Sequence, residues 1–429
     1  MSSTAATTDL LAQVRTWCQA HLRVGSVAEA EAPTLARQVA AVIVSEGVRQ
    51  AGGRASYEGC SVACECGRRA QFKGYRGRWL VTLAGSARVE RAYYYCRHCH
   101  TGQAPWDRRQ GLSPAQWTAG VKGLVAHFAG RLPYAASVEL LELSTGLKVE
   151  EFSAEQIMRS VGEELRTVAA GEQAAVLAGA AVVPAVPPVG RLYVGLDGTH
   201  GHIDGDWHEV KTGAIFVGVP GADGVDQATD CHYVAAQETA EAFGERAYAA
   251  AVGRGVEQAA EAVVTGDGAD WIWNQAARHF PRATQIVDYW HASEHLWHLR
   301  RVLYPAASPP GDRWVRQHCR RLYYHGPDGL LRALAKVKPA TVEQAEAVRR
   351  EQGYFTKHRP RMDYPGCRAR GLMVGSGPVE AACKVVVGQR LKGAGRRWCQ
   401  AGADAVLAVR CVLLNNQLEP LTQAARAAA

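Results

Sequence analysis

The chain has 429 residues, 47% hydrophobic and 21% charged, which is enough apolar surface for a sizeable core and enough length for two to four domains, and excludes global disorder. No basic segment leads into an apolar run after Met1, and the longest apolar stretch, 174–189, is broken by Pro184, Pro187 and Pro188, so a soluble, cytoplasmic protein without secretory signal, spanning helix or membrane partner is expected. The net charge of +8 is modest but unevenly spread, in two basic blocks around an acidic middle.

Residues 1–56 read as an Ala-rich helical region, with Val14, Cys18, Leu22 and then Leu35, Val39, Val42, Ile43 at helical spacing. Packing or dimerisation is its default role. Residues 57–110 change character and carry 10 Lys/Arg against 4 Asp/Glu. Strand-like runs at 79–83 and 89–95 are flanked by Cys64-x-Cys66 and Cys96-x-x-Cys99. Two cysteine knuckles at the ends of a β-hairpin make a zinc-ribbon-like module, because each knuckle offers two thiolates for tetrahedral closure. The tight C-x-C half leaves Cys60 or His98 open as a substitute ligand. Buried free thiols or a redox pair are the alternative. A closed four-thiolate site has no open position and carries no catalysis.

Residues 111–168 read as three short helices over 114–128, 135–143 and 153–168, the last opened by Ser153-Ala-Glu-Gln156 as a capping box. They are compatible with a helix-turn-helix DNA reader and equally with an ordinary helical bundle. Residues 169–190, rich in Ala, Gly and Pro, read as a linker. Residues 111–299 carry 11 Lys/Arg against 24 Asp/Glu.

Between 191 and 303 the pattern predicts strands 191–203, 208–219 and 229–237, with Asp204-Gly205 turning the first hairpin, then helix 240–252, strand 262–265, helix 270–279, strand 284–287 and helix 291–303. An antiparallel meander extended by crossovers into a mixed sheet follows. This mixed α/β order resembles a ribonuclease-H-like catalytic core. Residues 304–370, rich in Arg, Lys and Tyr, read as a basic helical insertion, residues 371–416 as the final core helix, and 417–429 as a tail. The span 300–429 carries 23 Lys/Arg against 9 Asp/Glu, a balance of +14. Such charge suits a protein holding a polyanion, and equally a solvated face; salt dependence separates the two.

Three acidic residues stand out by context: Asp197 and Asp267, read as strand-end carboxylates beside glycines, and Glu380 after Pro378 at a helix start. Three carboxylates suffice to hold two hard cations, for which Mg²⁺ is suited. Each also has a plain structural reading, as a turn, a loop or a favourable first-turn charge. Asp270 and Asp288 remain further candidates.

Several strings narrow the choice. Gly195-Leu-Asp-Gly-Thr199, Trp207-His-Glu-Val-Lys211, Gly266-Asp-Gly-Ala-Asp-Trp-Ile-Trp273, Asp288-Tyr-Trp-His-Ala-Ser-Glu-His-Leu-Trp297, Gly375-Ser-Gly-Pro-Val-Glu380 and Gln389-Arg-Leu-Lys-Gly-Ala-Gly-Arg-Arg-Trp398 occur in that order. With Tyr93-Tyr-Tyr-Cys-Arg-His-Cys99 and Ala104-Pro-Trp-Asp107 they resemble the ISKra-type insertion-sequence transposases, a bacterial DDE family related to Mutator-like enzymes, over roughly residues 57–415. The resemblance implies a catalytic, metal-binding triad of Asp197, Asp267 and Glu380 using Mg²⁺ or Mn²⁺. It implies a supporting role for Asp288 and His291, whose alternative is a helix-capping pair. It also implies a nucleoid-associated protein that acts on terminal repeats and target DNA, as a homodimer or larger assembly. The tight Cys64-x-Cys66 knuckle departs from the usual spacing and bears only on the zinc ligands.

Lys384, Arg390, Lys392, Arg396 and Arg397 follow Glu380 and are expected to position the DNA backbone rather than read bases. Trp398, and the set Trp271, Trp273, Trp290 and Trp297, read as packing rather than base stacking. The expected reaction is cleavage at the element's ends followed by strand transfer. A nuclease of the same fold, a domesticated zinc-containing DNA-binding protein and, weakest, a carboxylate-pair glycosidase are the rivals.

Overall fold

The structure, a computed structural model, describes residues 27–112, 116–180 and 190–418, with a few isolated positions before residue 27. Val14, Cys18 and Leu22, the start of the helix expected from 114 and the tail beyond 418 lie outside the described residues. The chain divides into two units, one of residues 1–125, 138–149 and 419–429, the other of 126–137 and 150–418.

In the first unit, helix α1 (Val27–Ala51) precedes a four-stranded antiparallel sheet of β1 (Ser61–Ala63), β2 (Arg69–Thr82), β3 (Gly85–Tyr95) and β4 (Gly102–Gln103), paired in chain order. The β2–β3 hairpin is longer than the expected runs and alternates buried and exposed positions along β3, as a one-sided sheet requires. Its buried face is Ala70, Ala92 and Tyr94 at the cysteine end, and Leu80 and Val89, clustered with Trp106 from beyond the hairpin, at the turn end. Asp107, on α2 (Pro105–Arg109), is buried between Arg78 and Arg91 and accepts from both guanidinia, at 2.6 and 2.8 Å. Such a pair fixes the short helix against the hairpin by leaving no buried charge uncompensated.

Helices α3 (Ala119–Ala129), α4 (Tyr134–Thr145) and α5 (Glu151–Leu177) follow. Two expectations fail here. Glu150 stands at the N-cap of α5 and makes no side-chain cap, so Ser153 lies inside the helix and forms no capping box. The helix also runs to Leu177, because 169–177 is rich in helix-favouring Ala, Glu and Gln; the expected linker contracts to the residues after it.

The second unit is built on a five-stranded sheet of β5 (Arg191–Ile203), β6 (Asp206–Pro220), β7 (Asp226–Ala236), β8 (Glu261–Gly266) and β9 (Thr284–Val287), in the spatial order β7-β6-β5-β8-β9. The first three are antiparallel; β8 and β9 run parallel to β5. Asp204 and Gly205, both at positive φ (50° and 88°), make the two-residue turn that suits strand twist. Helices α6 (Ala240–Gly253), α7 (Asp270–His279) and α8 (Tyr289–Leu303) alternate with the parallel strands, which are buried on both faces.

The segment after 304 forms α9 (Pro309–Leu334), α10 (Val342–Lys357) and α11 (Tyr364–Ala369). Gly326, at φ 70°, and Pro327 kink α9. Leu322, Leu330, Phe355 and Tyr364 join the same core as Leu192, Val264 and Ile286, so these helices are packed onto the sheet. Helix α12 (Gly377–Ala382) passes into one turn of π-helix at Cys383–Gly388, and α13 (Gln400–Leu414) ends the unit. Among the described residues, no helix is long and apolar enough to cross a membrane.

Candidate metal centres

Cys64, Cys66, Cys96 and Cys99 converge in the first unit, their sulfurs all within 4.8 Å of one another. Cys64 and Cys66 sit in the turn between β1 and β2, where the Cys64 amide donates to Arg68 O and Gly67 takes φ 79°. Cys96 and Cys99 sit in the turn between β3 and β4, held by the Cys96 amide donating to Thr101 O. Sulfur–sulfur distances of 3.5 Å (Cys64–Cys99) and 3.7 Å (Cys66–Cys96) match the roughly 3.8 Å edge of a tetrahedron with metal–sulfur bonds of about 2.3 Å. The Cys99 thiol is pushed down to about 6, first by the Thr101 hydroxyl, 2.9 Å away, and then by the Thr101 backbone. Cys66 is pushed the other way, to about 12: the Arg68 amide lowers it, but desolvation and the neighbouring thiols outweigh that. Cys99 is therefore the thiol of the group predisposed to ionise, and thiolate is the form that binds metal. Neither Cys60 nor His98 belongs to the group, so the C-x-C knuckle needs no substitute ligand. The donor set fits zinc in a closed, structural site.

In the second unit, the parallel ladder pairs Arg191 with Glu261 and Gly195 with Thr265, and Val263 with Thr284 and Gly266 with Val287. Continued past its last pairs, this register sets Asp197, Asp267 and Asp288 at one level on three neighbouring strands. Asp197 does not end its strand, as expected from the sequence. It is the parallel pairing that stops at Gly195, while β5 continues beside β6 to Ile203. The level where parallel strands end is where an open α/β sheet presents groups to a ligand.

Each aspartate is held differently. Asp197 is half-buried, accepts from the Gly198 amide at 2.7 Å and from the Cys383 thiol at 3.3 Å, and has its pKa raised by burial and, further, by the charge of Asp267. Asp267 accepts from the Ala269 amide at 2.9 Å, and its carbonyl accepts from the Tyr354 hydroxyl at 3.2 Å. Asp288 is fully buried as the N-cap of α8. It accepts from the His291 amide at 2.8 Å and from the Ser376 amide. Burial alone would raise its pKa; the His291 and Ser376 hydrogen bonds outweigh that and hold it below the ordinary carboxylate value. The His291 ring is pushed up to about 9, first by Asp288 and then by Asp267 and Asp197.

Glu380 is exposed on α12 and accepts from the Ser376 hydroxyl at 2.7 Å. It is the fourth residue after the Ser376 N-cap, a first-turn charge as its sequence suggested. The group of donors within 4.8 Å is Asp288, His291 and Glu380. Asp197, Asp267 and Glu380 do not form such a group among the described residues. The pair expected to support the triad therefore groups with its glutamate. Gly195 explains how α12 reaches the sheet: a Cβ there would lie 3.1 Å from Val379 Cβ. Protonated, His291 is the cation that offsets these carboxylates; in its neutral form it offers an imidazole nitrogen beside the Asp288 and Glu380 oxygens as a donor set for a metal ion.

The surrounding residues divide less neatly than expected. Asp270 is exposed and ion-paired with Lys357, away from the cluster. Lys384, Lys392 and Arg397 are exposed, and Lys392 donates to Thr199, on the same face of β5 as Asp197. Arg396 is turned back onto the Gln389 and Arg390 carbonyls. Arg390 is a correction: it is 2% exposed, donates to Ala129 O at 3.0 Å and lies 4.9 Å from the ring centres of Tyr134 and Trp398, so it is not a surface cation. Trp398 and Trp273 are packed as expected, but Trp290, between Asp288 and His291, is 65% exposed. Sequence reasoning did not single out Ser376, Tyr354 or Cys383. The Ser376–Glu380 spacing of four was the only local signal. No family model matches the chain, and no curated protein matches it either.

Proposed function

We propose that the second unit is a ribonuclease-H-like catalytic core, and that the chain is a DDE transposase which cleaves DNA at the ends of an insertion sequence and joins them to target DNA. The observation that carries the reading is the alignment of Asp197, Asp267 and Asp288 across β5, β8 and β9, with Glu380 brought beside Asp288 and His291. The strand order β7-β6-β5-β8-β9 and the resemblance of the ordered strings to ISKra-type transposases support it.

Asp197, Asp267 and Glu380 would hold the catalytic cations, with Asp288 and His291 completing the site. Bound Mg²⁺ or Mn²⁺ supplies Lewis acidity toward phosphate oxygens and a more acidic bound water. Asp288 anchors the start of α8 and the Ser376 loop at once, so it fixes Glu380 relative to the strand ends. Lys384, Lys392 and Arg397 offer exposed charge to the DNA backbone, which positions a strand without reading its sequence. In the first unit, a zinc-held hairpin and the helices that follow are assigned to terminal-repeat binding. Two ends must be handled together, so a dimer or larger assembly is part of the proposal.

The test is a cleavage and joining assay with Mg²⁺, a labelled duplex carrying the terminal repeat and a supercoiled target, comparing wild type with Asp267→Asn. Joined products that vanish in the variant support transposition. Cleavage without joining moves the protein to a nuclease, and binding without cleavage under either metal removes the enzymatic reading.

A further inference from the structure

One cleft of the second unit is far from neutral. It is a cleft of about 1200 Å³ between the helices of residues 303–344, lined by Arg321, Arg332, Lys336 and Lys338 and by no Asp or Glu. Among the described residues, none of these four side chains makes an ion pair or hydrogen bond. The one carboxylate of α9 near its kink, Asp328, is engaged by Arg359. Four uncompensated cations around one concavity raise the local potential for an anion. The same wall carries Trp314 and Tyr304, their rings 5.9 Å apart, with Trp314 stacked on the buried His318 at 4.1 Å. The His318 Nδ1–H donates to the Trp314 carbonyl, 2.7 Å away, which fixes the stack.

We propose that this cleft binds an unpaired stretch of nucleic acid, its phosphates on Arg321, Arg332, Lys336 and Lys338 and its bases against Trp314 and Tyr304. The cleft exceeds the ~300–1000 Å³ of pockets for single small ligands, so it suits a short run of nucleotides. Cations beside aromatic faces are the combination that holds single strands, because an unpaired base has a free face to stack and a paired one does not. The proposal needs no metal and stands apart from the catalytic reading, so each can fail alone.

The full chain is titrated, in EDTA, with a fluorescein-labelled single strand of about 12 nucleotides and with the matching duplex, over a range of salt. Arg332→Ala/Lys336→Ala is expected to weaken single-strand binding at least ~10-fold and to reduce the slope of log affinity against log salt by about 1.4, two charges at ~0.7 each. Both side chains are exposed, and unchanged circular dichroism checks the fold. Arg332→Lys/Lys336→Arg is expected to retain binding. A strand carrying iodouridine is expected to crosslink to the peptide containing Trp314 or Tyr304. Unchanged affinity and slope in the alanine variant, adducts confined elsewhere, or a larger loss for duplex than for single strand would each overturn the proposal, the last by making the cleft a duplex surface.

Discussion

Asp197 and Asp267 each lie two residues past Gly195 and Thr265, the last pair of the parallel ladder between β5 and β8. The two carboxylates feel each other: the Asp267 charge adds to burial in raising the pKa of Asp197. Asp267→Asn removes that like charge. Its effect on folding is expected to be neutral or slightly stabilising in a urea titration, whereas metal-dependent cleavage is expected to fall at least ~100-fold, the scale of losing a group that stabilises transition-state charge. Equal loss of stability and activity would mean that Asp267 only closes a loop.

The cysteine group gives a sharper expectation. Replacing any one of Cys64, Cys66, Cys96 or Cys99 with Ser is expected to lower bound zinc, measured by elemental analysis, from one equivalent to well below it, with loss of protease resistance in the first unit. Cys60→Ser and His98→Ala are expected to keep full zinc, because neither side chain belongs to the group. Zinc lost from either of these controls would redraw the ligand set.

Two buried arginines should differ sharply in what their removal costs. Arg410 is 3% exposed and donates to the carbonyls of Val386 at 2.7 Å, Gly130 at 2.5 Å and Val385, two of which belong to the π-helical turn. That turn shifts the helical hydrogen-bond register, and Arg410 supplies donors to its carbonyls. Arg410→Met is expected to cost about 3–5 kcal/mol in chemical denaturation, as buried acceptors lose charged donors. Arg390 makes one hydrogen bond, to Ala129, and leaves a buried Nη2 without a partner. Arg390→Met is expected to change stability by less than about 1.5 kcal/mol, since an apolar chain of similar length avoids desolvating a charge.

Acid stability should track His232. Burial, and then the Arg254 charge, push its ring down to about 4, and its Nε2 lies 3.3 Å from Asn415 Nδ2. Between pH 6.5 and about 4 the unfolded chain takes up a proton that the folded ring refuses, so stability falls as pH drops through that window, by up to ~1.4 kcal/mol per pH unit. His291 acts in the other direction and elsewhere: its raised pKa contributes fully below about 6.5 and is lost as pH rises toward 9. Urea titrations from pH 7 to 4.5 should show a shallower decline in His232→Gln. An identical decline would assign the acid sensitivity to other groups.

Much of the second unit was legible because its signals are local. Alternating and fully apolar runs, the Asp204-Gly205 turn and the helix at Asp270–His279 depend on residues a few positions apart, and the strands and helices between 191 and 303 fall within a few residues of expectation. The cysteine spacing likewise pointed to the group of Cys64, Cys66, Cys96 and Cys99, while leaving Cys60 and His98 open as ligands until the fold placed them outside it. Three things needed the tertiary structure. The level shared by Asp197, Asp267 and Asp288 is a property of strand register, which pairs residues 70 and 21 positions apart. The burial of Arg390 and the exposure of Trp290 are decided by what packs against them, and residue type pointed the other way for both. The length of α5 past residue 168, across residues that read as a linker, is supported by Val176 packing against the core of the second unit. Sequence thus determined which chemistries the chain carries; the fold decided which of those residues meet, because contact depends on register and packing that no short window of sequence contains.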